Sequence, residues 1–333
     1  MRSLALVGRF GRARQRGVAL ITVLLVFALA TVVAAEMLRR SQLGVRSFGN
    51  LLATRQAYYY ALGGETFARQ LLTKDVREGV AGVDNLEETW ARTREQPAFE
   101  IENGSMIVAI NDLQGRFNLN DVVDDNGARS ESGFARFQQL LAVLRLNASY
   151  ASEWLDWIDR GQEPSPNGAE DADYSKTRTA DRPESDISAL RQLRSMNAED
   201  YTTLAPHVTV LPKLLPSAQG EPTRVEAPLN VNTADAAILR AILGEALAAQ
   251  VLVRQKSGGY KNIAELPLNG GAGQADVKSS FFEILVTVNY DNRWQRLRTM
   301  VWRDSETGAT MVLSRARSPL ADDKNGDDRS GQP

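Results

Sequence analysis

The chain has 333 residues, 43% of them hydrophobic, and a formal net charge of -2 at pH 7 with acids and bases interleaved, which argues against a nucleic-acid binder that works through bulk positive charge. The absence of cysteine excludes disulfides, thiolate metal sites and a cysteine nucleophile. The one histidine, His207 in LAPHVTVLP, has no G-x-S-x-G elbow to serve, so it reads as a surface or turn residue rather than a catalytic base.

The first element is RQRGVALITVLLVFALATVVAAEM, residues 14–37, in which an uncharged stretch runs from Val18 to Ala35. As a helix rising about 1.5 Å per residue it would be roughly 27 Å long, close to the thickness of a bilayer's hydrocarbon core. Arg9, Arg12, Arg14 and Arg16 precede it and hold the N-terminus in the cytoplasm, against the weaker pull of Arg39 and Arg40 beyond. A secretory signal peptide cut before Glu36 and a plain uncleaved anchor both fit these facts. Neither accounts for a glycine at the border of the charged and apolar blocks.

That border, Arg16-Gly17-Val18, resembles the leader of type IV pilins and of the pseudopilins of type II secretion. The resemblance implies that a prepilin peptidase cuts between Gly17 and Val18, leaves the apolar segment on the chain, and methylates the new N-terminus at Val18. Most members carry a glutamate at the fifth mature position, where this chain has Thr22. That glutamate is thought to partner the N-terminal ammonium of a neighbouring subunit, since a carboxylate in a bilayer is costly unless paired. A subunit without it suits an end position, and the long pseudopilin that lacks it is the K-type minor pseudopilin.

Past the membrane the helix is expected to continue with Val45, Phe48, Leu52 and Tyr59 on one face, to end or kink at Gly63-Gly64, and to resume at Phe67 and Leu71. PAFEIENGSMIVAIND, residues 97–112, alternates apolar and polar residues around an Asn103-Gly104 turn and reads as a hairpin. The next comparable signal is FFEILVTVNYDNRWQRLRTMVWR, residues 281–303, with a turn at Asp291-Asn292, followed by ATMVL from Ala309. The fold class is therefore α+β: a pilin-like long N-terminal helix on an antiparallel sheet, with a large all-helical insertion between the strands.

The insertion holds a weak repeat. GRFNLNDVV at 115–123 and APLNVNTAD at 227–235 share an N-x-N core, and each precedes an apolar-periodic helix, FARFQQLLAVLRL or AAILRAILGEALAAQVLVRQK. Asn232-Thr233 followed by Asp235 makes an N-cap region. LNVNTADAAILRAIL also resembles the opening of DNA-binding helix-hairpin-helix modules, but lacks their L-P-G-I type hairpin; K-type pseudopilins share the N-V-N-T-A start as a structural element.

DWIDRGQEPSPNGAEDADY, residues 156–174, crowds acids into a Pro- and Gly-broken loop. Hard oxygen ligands without His or Cys favour calcium, while a solvated acidic loop fits the spacing equally well. K-type pseudopilins have a W-I-D...G-A-E-D...Y segment and bind calcium in the helical domain; the matching positions are Trp157, Ile158, Asp159, Gly168, Ala169, Glu170, Asp171 and Tyr174. The resemblance implies Asp159, Glu170 and Asp171 as ligands, with Glu163 and Asp173 as nearby oxygens, and Gly161 departs from a further acid often found there. A second acidic run, with Asp121, Asp124 and Asp125, reads as an Asp-Asn-Gly turn or another ion site.

The resemblance covers nearly the whole chain. It implies a cleaved leader at 1–17, a membrane segment at 18–36, and a stem with the first strands at 37–112. An inserted helical domain follows at 113–278, in lobes of about 113–215 and 216–278, then the remaining strands at 279–313 and a disordered tail at 314–333. The expected role is mechanical rather than enzymatic: a minor pseudopilin at the pseudopilus tip that initiates and caps assembly with I-type and J-type minor pseudopilins. The other expected partners are the prepilin peptidase and the inner-membrane assembly platform. A single inner-membrane span would place the C-terminal domain in the periplasm. The alternative is a membrane-anchored, helix-hairpin-helix-like DNA-binding protein.

Overall fold

A computed structural model describes residues 18–79, 82–175, 177–217, 220–266 and 275–318. It divides into two compact units after Gln56.

Helix α1 (Val18–Glu78) begins at the first described residue and accounts for all described residues of the first unit. Apolar side chains line every face over its opening turns, and Leu24, Phe27 and Leu29 are exposed, with nothing among the described residues burying them. A helix apolar all round needs a lipid or protein environment. Its polar continuation opens with Glu36, held 2.8 Å from both Arg39 and Arg40. The stripe of Val45, Phe48, Leu52 and Tyr59 is exposed.

In the second unit the chain continues through β1 (Phe99–Ile101), β2 (Gly104–Asp112), β3 (Phe117–Asn118), α2 (Glu131–Val143), α3 (Ser149–Ile158), α4 (Ala198–Leu204) and β4 (Val208–Thr209). After β5 (Leu214–Leu215), β6 (Thr223–Arg224) and β7 (Leu229–Asn230) come α5 (Ala236–Leu243) and α6 (Glu245–Gln255). The chain then forms β8 (Ala275–Asp276), β9 (Phe281–Tyr290), β10 (Arg293–Arg303) and β11 (Thr310–Ser318).

The main sheet is antiparallel throughout, in the order β1-β2-β9-β10-β11, so strands far apart in sequence meet at its centre. Both sharp turns use residues that tolerate left-handed backbone: Asn103 at φ 58°, and Asp291 and Asn292 at 50° and 57°. The register opposes Val108 to Val286 and Ile110 to Ile284. This places β9's buried Phe282, Ile284, Val286 and Val288 in one core with Ala57, Ala61, Ala68 and Leu72 of α1. The small residues of α1 permit the close approach. Gly64 is the extreme case, since a Cβ there would lie 2.7 Å from Val286 Cγ1 and 2.9 Å from Met106 Sδ. The glycine pair therefore neither ends nor interrupts α1, and Gly64 is its point of contact with the sheet.

The insertion between β2 and β9 has its own core, built on Phe137, Leu141, Trp154, Ile238, Leu239 and Val251. A smaller cluster of Leu113, Leu211, Leu215 and Phe281 packs with Met300 and Trp302 on the other face of the sheet. Contrary to an all-helical insertion, it carries short pairs: β3 with β4 and β7 with β8, both parallel, and β5 with β6, antiparallel. The second long apolar run breaks into α5 and α6 at Gly244, whose φ of +78° suits glycine. Asp235 caps α5 by accepting from Ile238 N at 2.9 Å.

The N-x-N repeat is real at the level of hydrogen bonds. Asn118 Oδ1 accepts from Asn120 N at 3.2 Å, and Asn230 Oδ1 from Asn232 N at 2.9 Å. The second asparagine of each pair then grips a distant backbone like a strand neighbour. Asn120 accepts from Glu184 N at 3.0 Å and donates to Glu184 O at 2.9 Å; Asn232 accepts from Tyr260 N at 2.7 Å and donates to Tyr260 O at 2.9 Å. The tail expected from Ser314 onward is strand as far as Ser318, paired with β10. The rest of it, 319–333, lies outside the described residues.

Candidate functional site

Gly17, the expected cleavage position, lies outside the described residues, and Val18 opens α1. The Thr22 hydroxyl donates within its own helix, 2.9 Å from Ala19 O and 3.2 Å from Val18 O. It is satisfied without a partner chain.

The acidic loop starts on α3, whose buried face carries Trp154, Trp157 and Asp156. Asp156 is fully buried, and its Oδ2 accepts from Ser165 N at 2.9 Å while its Oδ1 has no hydrogen-bond partner. Gly168 is required beside it, because a Cβ there would fall 1.8 Å from Oδ2. Glu170 is also buried, and neither of its oxygens has a partner; the Tyr174 hydroxyl is unpartnered as well. Burial pushes the Glu170 carboxyl up to about 7, and the charges of Asp156, Asp159 and Asp181 add to it. Burial likewise raises Asp156 and Asp159.

The acids acting on Glu170 are thus Asp156, Asp159 and Asp181, of which Asp159 is also an expected ligand. Asp171 is engaged, accepting from Thr179 N at 2.9 Å and Thr179 Oγ1 at 3.0 Å. Asp173 accepts from Glu170 N at 3.1 Å and pairs with Arg194 at 3.1 Å. Glu163 is exposed, and Gly161 N donates to Asp159 Oδ1 at 2.8 Å. Asp181 had no local signal, because what brings it in is a long closure: Ala180 N and Asp181 N both donate to Trp157 O, at 2.9 and 3.2 Å. Three carboxylate oxygens here, one of Asp156 and both of Glu170, are buried without a hydrogen-bond partner, and hard oxygens of this kind suit a cation such as calcium.

Two other acidic groups are accounted for internally. Among the described residues, the set of three carboxylates with oxygens within 4.8 Å of one another is Asp75, Asp84 and Glu88. Arg303 already supplies the cation there, donating to Asp75 Oδ2 at 2.9 Å and Asp84 Oδ1 at 2.5 Å. In the second run, Asp124 caps its own turn, Asp121 accepts from Asn118 Nδ2 at 2.9 Å, and Asp125 pairs with Arg224. His207 Nδ1 lies 2.6 Å from Asp235 Oδ2, joining the first lobe to the cap of α5.

Two family descriptions match this architecture: the first domain of "Type II secretion system (T2SS), protein K" over residues 115–213, and a second protein K domain over 229–287. Each match begins at one copy of the N-x-N repeat. The type II secretion system protein K of Pseudomonas aeruginosa is 35% identical, over 91% of this chain and 93% of its own length. The chain belongs to the type II secretion system protein K family. Protein K of Aeromonas hydrophila is 30% identical over 90% of this chain and 96% of its own. A chain of the crystal structure of the GspK-GspI-GspJ complex from enterotoxigenic Escherichia coli superposes with a TM-score of 0.67 at 21% identity, covering 80% of this chain and 96% of that one. The DNA-binding alternative draws no support from these protein K similarities.

Proposed function

We propose that this protein K is the minor pseudopilin at the tip of the pseudopilus, where it initiates and caps assembly with I-type and J-type minor pseudopilins. The observation that carries this reading is the first unit: an apolar helix whose fifth residue after Gly17 is a self-satisfied threonine instead of a carboxylate. Such a helix can pack along neighbouring stems but offers no charge to the N-terminal ammonium of a subunit next to it. The helical insertion adds bulk suited to blocking further addition. The chain is anchored in the inner membrane with its head in the periplasm, after prepilin peptidase cleaves between Gly17 and Val18 and methylates Val18.

Intact mass of the membrane-purified protein tests the first step. A methylated chain beginning at Val18 is expected, only when the peptidase is present; a chain beginning at Glu36 would overturn the reading. Co-purification with I-type and J-type partners tests the position, and should survive in wild type but weaken when residues 18–35 are replaced by an unrelated span.

The acidic loop holds a structural calcium. Asp159 and Glu170 are its ligands from the expected set and Asp156 joins them, with Asp181 close enough to add charge. Bound calcium would supply the positive charge that the unpartnered oxygens of Asp156 and Glu170 lack.

A further inference from the structure

A cleft of 360 Å³ opens between the two lobes, walled by β3 and the loop after it, the first turns of α2, and residues 212–213 and 224–229. Four cations line it: Arg116, Arg136, Lys213 and Arg224. Two are matched from within. Arg224 pairs with Asp125, and Lys213 donates to Val123 O at 2.7 Å and lies 3.9 Å from Asp125. Of the other acids on the cleft, Asp124 is spent on its own turn and Asp121 on Asn118, while Glu226 is exposed.

Arg116 and Arg136 are left over. Both are half-buried, and among the described residues neither guanidinium makes a hydrogen bond or an ion pair within 4.0 Å. The nearest claim on Arg136 is the charge of Asp121, acting through space. Each guanidinium presents five donors in a planar fork matched to a carboxylate. The N-terminal turn of α2, with Ser130 and Ser132, opens on the same space and adds its positive end. Past Lys213 and Arg224 the cleft runs on into a second hollow of 260 Å³, bordered by Arg160, Arg182 and Asp181 as well as the Asp124 and Asp125 already described, in which Leu214 is 58% exposed.

We propose that this trough docks an extended acidic peptide segment of another protein, with carboxylates on the forks of Arg116 and Arg136 and an apolar side chain over Leu214. A single small anion would fill one fork and leave the second hollow and Leu214 uncovered. The site does not depend on the tip assignment, since it lies wholly within the inserted lobes.

The mature full chain in detergent would be titrated with a labelled Glu-Glu-Leu-Glu-Glu peptide and its Lys-Lys-Leu-Lys-Lys counterpart, read by fluorescence anisotropy at low and high salt. The acidic peptide should bind and the basic one should not. Arg116→Ala with Arg136→Ala should weaken binding roughly tenfold or more, and the exposed Arg94→Ala should change nothing. If the double variant melts early, a peptide with Gln for Glu on the unaltered protein asks the same question and should bind as weakly. No binding, equal binding of both peptides, or full binding by a folded double variant would overturn the proposal. Competition by inorganic phosphate as strong as by the peptide would overturn the peptide assignment in favour of a small-anion site.

Discussion

Gly63 and Gly64 are chemically identical neighbours in α1, and their surroundings give them opposite roles. A Cβ on Gly63 meets nothing within 4 Å, whereas one on Gly64 collides with Val286 and Met106 of the sheet. Gly63→Ala should therefore stabilise the fold by about 0.5–1 kcal/mol through helix propensity, and Gly64→Ala should destabilise it by about 1–3 kcal/mol through overpacking, both readable in urea melts. Asp112 is a second instructive residue. At the end of β2 its Oδ2 accepts from Thr233 Oγ1 and Ser279 Oγ, both at 2.5 Å, and it also faces Asn230 Nδ2. Burial nonetheless pushes its carboxyl up to about 6, so the folded state favours the protonated form. The stability this residue contributes is full below the unfolded value of about 4 and is lost as pH climbs through about 6. Asp112→Asn should flatten that part of the stability profile between pH 4 and 7, whereas an unchanged profile would show that the hydroxyl donors outweigh burial.

At the scale of elements, the two asparagine clasps should be the costliest single polar groups in the insertion. Asn232→Ala strips Tyr260 N and Tyr260 O of their partners in a buried setting, and Asn120→Ala does the same to Glu184 N and O. Each should cost about 2–4 kcal/mol in chemical denaturation, while Asn126→Ala in the exposed turn should stay within about 0.5 kcal/mol. The repeat itself was legible in the sequence because both asparagines recur at the same spacing, as were both hairpins, because alternation and left-handed turn residues are local signals. What each second asparagine grips was not legible: Tyr260 lies 28 positions from Asn232 and Glu184 lies 64 from Asn120. The same physics explains the other differences. Phe48 and Leu52 keep helical spacing but are exposed, since spacing does not say which apolar residues find a core, and in the second unit it is Ala57, Ala61 and Ala68 that pack with the sheet. The break at Gly244 was hidden inside an unbroken apolar period. Asp159 and Glu170 stand in the loop motif itself, whereas Asp181 comes near Glu170 only through the backbone closure onto Trp157 O.

At the scale of the molecule, the head carries two principal cores, one between α1 and the sheet and one inside the insertion. They share a polar seam in which Gln114 donates to Pro228 O at 2.8 Å and accepts from Ser280 N at 2.6 Å, beside the donors gathered on Asp112. The acidic loop of residues 156–174 belongs to the insertion's side of that seam. Its ordering rests on α3, the backbone closure onto Trp157, and the bonds of Glu153 to Ser195 N at 3.1 Å and Ser195 Oγ at 2.6 Å. Without the cation, Asp156, Asp159 and Glu170 repel one another and the buried unpartnered oxygens cost free energy, so the loop is the place where the insertion opens first. Chelation should therefore lower amide-exchange protection over about 156–195 and leave β2, β9 and β10 protected as before, with calcium but not magnesium restoring the pattern. Uniform loss across both cores would mean that the seam makes the head one cooperative unit, and no change at all would mean that the loop holds no ion. Only the selective outcome fits a metal that stiffens the insertion while the sheet and the part of α1 packed on it keep their own stability.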